Sequence, residues 1–324
     1  MQIYNNFREH CFPPQSQVVA IGNFDGVHLG HRSLFALAIA KARKLGLQAA
    51  ALTFRPHPLK LLFPERRIFL ITSYERKADL ISSCGIDNLV IAPFDHQFAD
   101  LTANDFVENV LVRHLGAAVV AVGDNYTFGR NREGSLARLQ ELGQDWGFEV
   151  EIAPPCRSAG ELVSSTKIRE AIMQGEIERA SRFLGRPCAI VGRVVRGKGR
   201  GRGLGFPTAN LVSEVELYPC EGVYVVWVEH QGERYMGVVN IGYNPTFAGT
   251  GLTVEAHIFD FDQDLYGHEL KIIFIEHLRS EKTCSGIEEL HQLIAADVRR
   301  ARQILQGSEI EEEGSSGPSF PLAK

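Results

Sequence analysis

From Gln17 to about Leu184 short apolar runs take turns with helix-period patterns, and this alternation constrains the fold more than any other feature of the chain. VVAIGNF is followed by Leu34, Leu37, Ala38 and Leu45 at helical spacing, then by AAALTF. NLVIAPF near Leu89, AAVVAVG near Val119 and FEVEIA near Val150 continue the series, with helical patterns over Asp105 to His114 and Ser135 to Asp145. Strands bounded by helices predict a doubly wound α/β domain with a parallel sheet. After Leu184-Gly185-Arg186-Pro187 the texture changes to AIVGRVV, GVYVVWVEH, RYMGVVNIG, TVEAHIF and ELKIIFIEHL, separated by Gly, Pro and Asn turns. That spacing predicts a small antiparallel β-barrel. A terminal helix follows, with Ile287, Leu290, Ile294, Val298, Ala301 and Leu305 on one face and Gly307 as its stop, and then a polar tail.

At 324 residues the chain has room for two cores. Its formal net charge of −5 argues against wholesale nucleic-acid binding, so the basic run around Lys198 must be read on its own terms. Six dispersed cysteines without a CxxC pair make a zinc ribbon or disulfide scaffold a poor reading. No stretch approaches the ~18 apolar residues of a membrane span, and the N-terminus lacks a secretory pattern. The expectation is a cytoplasmic enzyme with reduced thiols, no membrane partner and no nucleic-acid partner; nothing in the pattern specifies an oligomer.

Strand VVAIGNF runs into Asp25-Gly26-Val27-His28-Leu29-Gly30-His31 just before the first helical pattern. Ligands bind at strand carboxyl ends in such sheets, and a helix N-terminus there attracts an anion. His28 and His31, three apart, can face one bound group and stabilise charge on a phosphoryl oxygen. Read blandly, the same residues are a tight turn with two surface histidines. Further on, Ser164-Ser165-Thr166-Lys167-Ile168-Arg169 places hydroxyls and two cations at another helix start. Cations there oppose the helix dipole, which favours anion binding over helix stability, although a Ser/Thr cap with solvated basic residues is the plain alternative.

The second half opens on a glycine at every second position from Gly197 to Gly205, interleaved with Lys198, Arg200 and Arg202, and then Phe206-Pro207-Thr208-Ala209-Asn210. It is not a P-loop, because Gly199 stands where Ser or Thr must reach the metal and no helix follows. A flexible RNA-binding loop and a nucleotide flap fit those residues equally well. Thr208 and Asn210 alternate along an extended segment, so both point the same way and offer neutral oxygens to a hard cation.

Taken in order, GNFDGVHLGHR, TFRPHP, GDNYTFGRNREG and SSTKIR resemble the Rossmann-like nucleotidylyltransferases, and within them the FMN adenylyltransferase half of bacterial bifunctional riboflavin kinase/FAD synthetases. The resemblance implies that His28, His31, Ser165, Thr166 and Arg169 contact ATP, along with the loop residues Gly22, Asn23, Phe24 and Gly26. It also implies that Asn125 organises the nucleotide and metal, and that Phe54, Pro56, His57 and Pro58 lie near flavin. Singly, Pro56 and Pro58 read as turn stiffeners and Phe54 as core. GRGLGFPTANL resembles the riboflavin kinase signature. By that likeness Gly197, Lys198, Gly199 and Gly205 fold over ATP, Thr208 and Asn210 bind Mg²⁺, and Glu255 in TVEAH takes the proton from riboflavin. A strand glutamate is as readily solvent-facing, and alternation alone does not separate the two readings.

The implied organisation is an FMN adenylyltransferase domain over 1–185, a riboflavin kinase domain over 186–306 and a disordered tail over 307–324, with ATP, riboflavin and FMN as substrates. One departure is Thr283-Cys284, where this family commonly carries an aromatic; it bears on packing near the last helix. An aminoacyl-tRNA synthetase relative and an RNA-binding barrel are the competing readings, as is a protein active in one half alone.

Overall fold

The computed structural model describes residues 1–197, 203, 205–213, 215–243 and 251–307. The chain divides into two compact units, Met1–Ser165 and a second that starts at Thr166.

The first unit is built on a six-stranded parallel sheet of β1 (Gln2–Tyr4), β2 (Gln17–Ile21), β3 (Gln48–Arg55), β4 (Asn88–Pro93), β5 (Ala117–Gly123) and β6 (Glu149–Ala153), in the order β1-β4-β3-β2-β5-β6. Between the strands run α1 (Leu29–Leu45), α2 (Pro58–Leu62), α3 (Tyr74–Ser83), α4 (His96–Ala99), α5 (Ala103–Asp105), which continues as the π-helical Phe106–His114, and α6 (Leu136–Trp146). Successive strand residues point to opposite faces. Val19, Ile21, Ala50, Leu52, Val120 and Val122 therefore meet Val110, Leu111 and Leu139 on one side. Val18, Ala20, Ala49, Ala51, Val119 and Ala121 meet Leu34, Phe35, Ala38 and Ile81 on the other. Both faces of the sheet are covered, as continuous apolar strands require. A hairpin of β7 (Arg157–Ser158) and β8 (Glu161–Leu162) ends the unit.

From β2 the chain moves one way to β3 and β4, then crosses to the other side of β2 for β5 and β6. The switch point lies between β2 and β5, and the loops leaving their carboxyl ends frame the place where such sheets take ligands.

The second unit begins with most of α7 (Ser165–Met173) and with α8 (Ile177–Leu184), then closes a barrel of β9 (Ala189–Val195), β10 (Ala209–Val212), β11 (Gly222–His230), β12 (Glu233–Tyr243), β13 (Leu252–Ile258) and β14 (Glu269–Arg279). All neighbouring strands are antiparallel, in the closed order β10-β13-β12-β11-β14-β9. The unit starts about a helix pair earlier than the sequence punctuation at 184–187 suggests. Ile177, Ala180, Phe183 and Leu184 are buried and α8 packs on β14, so Gly185, at φ 67°, marks only the helix C-cap.

Tyr224, Val239, Ala256, Ile241, Val254 and Leu211 are cross-strand neighbours and are all buried, filling the barrel. The residues between them turn outward, where Val223, Val225 and Val238 pack with Ala301 and Leu305 of α9 (Ile287–Gln306). The helix thus covers one outer face of the barrel. Ile287, expected on its buried stripe, is 74% exposed, because the covered stretch starts about a turn later at Leu290.

Candidate active sites

The first site grows from the loop between β2 and α1. Its backbone is tightly wound: Phe24, Gly26 and Val27 have φ of 51°, 83° and 40°. Only the glycine adopts that region freely, so two bulky residues are held there by their surroundings. Asp25, 3% exposed, accepts the Ile71 N–H at 3.0 Å and the Thr72 N–H at 3.3 Å, and the Gly26 N–H donates to Thr72 Oγ1 at 3.2 Å. The Asn23 carbonyl accepts Thr53 Oγ1 at 3.1 Å and the buried Lys77 amine at 3.2 Å. Gly22 is packed so closely on the Phe24 ring that a Cβ would lie 2.7 Å from it.

This wound loop delivers His28 to the mouth of α1 as its N-cap, where Nδ1 accepts the His31 N–H at 3.3 Å. The two imidazoles stack at 3.6 Å with their planes 17° apart, and Phe24 meets His31 edge-on at 5.3 Å. The turn is therefore no loose surface loop with two solvated histidines: His28 is only 6% exposed. A side chain at Gly30 would crowd this stack, since its Cβ would stand 3.2 Å from the His28 ring.

The second motif reaches the same loop at one point. Ser165 Oγ donates to the Asp25 carbonyl at 2.9 Å. Thr166, exposed, and Arg169, half-buried, follow on α7, whose inner side buries Ile168, Ala171 and Ile172. Asn125 lies exposed in the turn after β5, the other side of the switch point. Phe54, Pro56, His57 and Pro58, expected near flavin, lie at the end of β3 and just after it. Phe54 is half-buried against Phe94 and Phe98 at 5.8 and 5.7 Å, so it serves the core at least in part. His57 is buried, caps α2 and donates its backbone N–H to the Tyr74 hydroxyl at 3.0 Å, with Pro56 before it and Pro58 opening α2.

The second site lies on the outer face of the barrel. Register pairs Asn210 with Glu255 and Glu255 with Asn240, while Val223 stands opposite Asn240. Directly opposed residues share a face, so Asn210, Glu255 and Asn240 form one row across three strands, with the Glu255 carboxylate in the middle. Two residues along β13, His257 stands on the same face opposite Val238. Thr208 and Glu255 both line a cavity of about 410 Å³ between this face and α9, together with Asn240, His257, Thr283, Leu290 and Ile294. Glu255 is therefore not simply a solvated strand residue.

Around this row the walls are fixed. His257 Nδ1 meets the Pro207 carbonyl at 2.8 Å and its ring takes the Phe206 ring edge-on at 5.5 Å. Burial lowers the proton affinity of His257. Arg279 grips Asp297 of α9 at 2.7 Å, and Asn240 Nδ2 donates to Glu281 at 3.2 Å. Gly197 lies directly against the Asn210 carboxamide, leaving no space for a Cβ. Gly205 is exposed at φ 78°, while Lys198 and Gly199 fall outside the described residues. A hydroxyl, a carboxamide and a carboxylate form a hard-oxygen set of the kind that fits Mg²⁺. No cluster of three or more acidic, histidine or cysteine ligands occurs among the described residues, so such an ion would rely mainly on the neutral Thr208 and Asn210 here. Lys77 was not singled out by motif reading, because it sits on α3, away from the loop it supports, while Asp25 and His257 lie within quoted motifs without having been given a role.

The wound loop before α1 and the polar row on the barrel are candidate sites of different construction, and sequence comparisons define the class as a bifunctional ATP-dependent transferase. The sequence profile of FAD synthetase matches residues 13–167 and that of riboflavin kinase matches residues 184–305. The bifunctional riboflavin kinase/FMN adenylyltransferase of Escherichia coli K12 is 38% identical over 292 residues, covering 90% of this chain and 93% of its relative. The chain belongs to the bifunctional riboflavin kinase/FMN adenylyltransferase family, phosphorylating riboflavin to FMN and adenylylating FMN to FAD. The enzyme of the same name from Listeria monocytogenes is 39% identical over 290 residues, 89% of this chain and 92% of the other. A solved structure described as a macrolide-efflux protein from Streptococcus pneumoniae matches with a TM-score of 0.83 at 33% identity, covering 93% of this chain and 98% of that one. No helix among the described residues is long and apolar enough to cross a membrane. The aminoacyl-tRNA synthetase reading falls with these matches.

Proposed function

We propose that adenylyl transfer takes place at the His28–His31 loop, with residues 1–185 as its domain, and riboflavin phosphorylation at the Asn210–Glu255–Asn240 row, with residues 186–306 as its domain. The observation that carries the division of labour is the position of Glu255, centred between two amides at a cavity that also holds Thr208.

In the kinase site, Glu255 accepts the proton of the riboflavin 5′-hydroxyl as that oxygen bonds the γ-phosphorus of ATP and the bond to ADP breaks. Thr208 and Asn210 hold Mg²⁺, which neutralises phosphate charge when bound. Gly197, Lys198, Gly199 and Gly205 cover the triphosphate. The isoalloxazine fits the apolar end of the cavity beside Leu290 and Ile294, near the Thr283 departure.

In the adenylyltransferase site, an FMN phosphate oxygen bonds the α-phosphorus of ATP and pyrophosphate leaves, so no protein nucleophile is needed. His28 and His31 receive charge on the phosphates, aided by Ser165, Thr166 and Arg169, and the loop of Gly22, Asn23, Phe24 and Gly26 borders them, with the Gly22 and Gly26 amides held by the Leu52 carbonyl and Thr72 Oγ1. Asn125 orients the nucleotide from across the switch point, while Phe54, Pro56, His57 and Pro58 border the flavin. Catalysis by positioning and charge stabilisation suits a site of imidazoles and backbone donors.

The test is chromatography of flavins made from riboflavin or FMN with ATP and Mg²⁺. Glu255→Gln abolishes use of riboflavin and spares FMN to FAD conversion. The double variant His28→Ala/His31→Ala accumulates FMN. If either variant leaves its assigned step intact, the assignment of that site is wrong.

A further inference from the structure

Lys77 is a lysine in an unusual place. It lies on the inner side of α3 with Leu80 and Ile81, and is 7% exposed. Lysines are almost never so buried without partners. Its Nζ donates to the Asn23 carbonyl at 3.2 Å and to Thr53 Oγ1 at 3.1 Å, and stands 5.1 Å from the centre of the Tyr74 ring. Thr53 donates to the same Asn23 carbonyl. Three elements, α3, β3 and the loop after β2, thus converge on one oxygen.

That oxygen belongs to the peptide that also carries the Phe24 N–H, at the entrance to the strained run of Phe24, Gly26 and Val27. Because a peptide is planar, gripping the Asn23 carbonyl orients the next N–H and the entry into the loop that presents His28. Charged donors bind carbonyls about twice as strongly as neutral ones. A cation beneath the loop also adds attraction for polyphosphate. We propose that Lys77, in its charged form, is a positioning residue for adenylyl transfer, holding the loop after β2 in its anion-receiving conformation. The inference rests on the reading of that loop as the adenylyltransferase site.

The groups facing the amine set the pH at which this grip weakens. The Asp25 carboxylate favours its charge, and Arg55, which lies 3.9 Å from Glu75 and over the Tyr74 ring, opposes it. Burial outweighs both and lowers the Lys77 pKa from 10.5 to about 8. The grip is therefore complete below that pH and lost above it. Bound ATP and FMN are anionic and favour the charged amine, so substrate binding shifts the loss to higher pH.

The experiment uses the full chain and measures FMN to FAD conversion beside riboflavin phosphorylation from about pH 6.5 to 10. Adenylylation kcat/KM falls on the alkaline side near pH 8, kcat falls at higher pH, and riboflavin phosphorylation lacks that limb. Lys77→Arg, charged throughout, retains FAD synthesis and loses the limb. Lys77→Met lowers adenylylation roughly 10- to 100-fold with a flat profile over that window, the range expected for a misplaced site. It melts no lower than the natural chain, since a buried charge has been removed. A limb that persists unchanged in both variants overturns the role of Lys77. If His28→Ala/His31→Ala still makes FAD, the site reading itself has failed, and the two failures are told apart.

Discussion

Replacing Asp297 by Asn tests whether the roof of the kinase cavity is held by one ion pair. Arg279 reaches Asp297 through Nε at 3.0 Å and Nη2 at 2.7 Å, tying the end of β14 to the middle of α9. The side chains are 25% and 9% exposed, and Arg279 Nη1 also donates to the Ser280 carbonyl at 3.0 Å. Breaking a fully buried pair costs about 3–5 kcal/mol, and a charged hydrogen bond alone about 1.5–3 kcal/mol. Because Arg279 keeps access to water and the Asn retains its volume and one acceptor, about 2 kcal/mol is the appropriate magnitude. For a unit of this size that lowers its melting temperature by roughly 4–8 °C. If about 1.4 kcal/mol of it reaches the cavity, KM for riboflavin rises about tenfold. FMN to FAD conversion stays unchanged. The assay pairs calorimetry with steady-state riboflavin phosphorylation, and Asp260→Ala is the control. Asp260 also forks with Arg302 of α9, but at 71% exposure that pair is screened by solvent and holds the helix far less firmly. A melting shift in Asp297→Asn no larger than in Asp260→Ala, with KM unmoved, refutes the reasoning.

Gly197→Ala places a methyl group within the Asn210 carboxamide; riboflavin phosphorylation falls at least about tenfold while circular dichroism stays native, since one displaced side chain costs only about 1–3 kcal/mol. Lys77 has a folded pKa near 8 against 10.5 in the open chain, so its burial penalty is full below pH 8 and fades as pH rises towards 10.5. Between those limits the group adds up to about 3 kcal/mol of stability, at about 1.36 kcal/mol per pH unit. Denaturant melts of the natural chain and of Lys77→Met reveal it as a rise present in the first and absent from the second.

The alternation along the first half made the parallel sheet legible, since the runs VVAIGNF, AAALTF, NLVIAPF and AAVVAVG are largely buried on both faces, while the edge run FEVEIA is only partly covered. His28 and His31 were legible as a pair because three-residue spacing at a helix start forces them together. Glu255 was only half legible. On β13 the inward set of Val254, Ala256 and Ile258 is plain, but whether the outward set meets water or a cavity depends on α9, about thirty residues later. Lys77 was not legible at all, because YERKADL reads as a solvated helix start and only the approach of β3 and the β2 loop buries the amine. That the second compact unit begins at Thr166 was hidden for a similar reason: α8 looks like the end of one pattern until its apolar face finds β14.

The closed ring of strands has a consequence for how this enzyme can change over time. Along β13 the proposed proton acceptor, Glu255, and the barrel filling occupy adjacent positions, and a strand shifted by one residue exchanges its two faces. With no free edge along which β13 can slide, a one-residue insertion or deletion there turns Glu255 into the interior and exposes Val254 or Ala256. Paired insertions or deletions keep the faces in place, so viable lineages must vary the length of this strand in steps of two or confine the change to the turns at its ends.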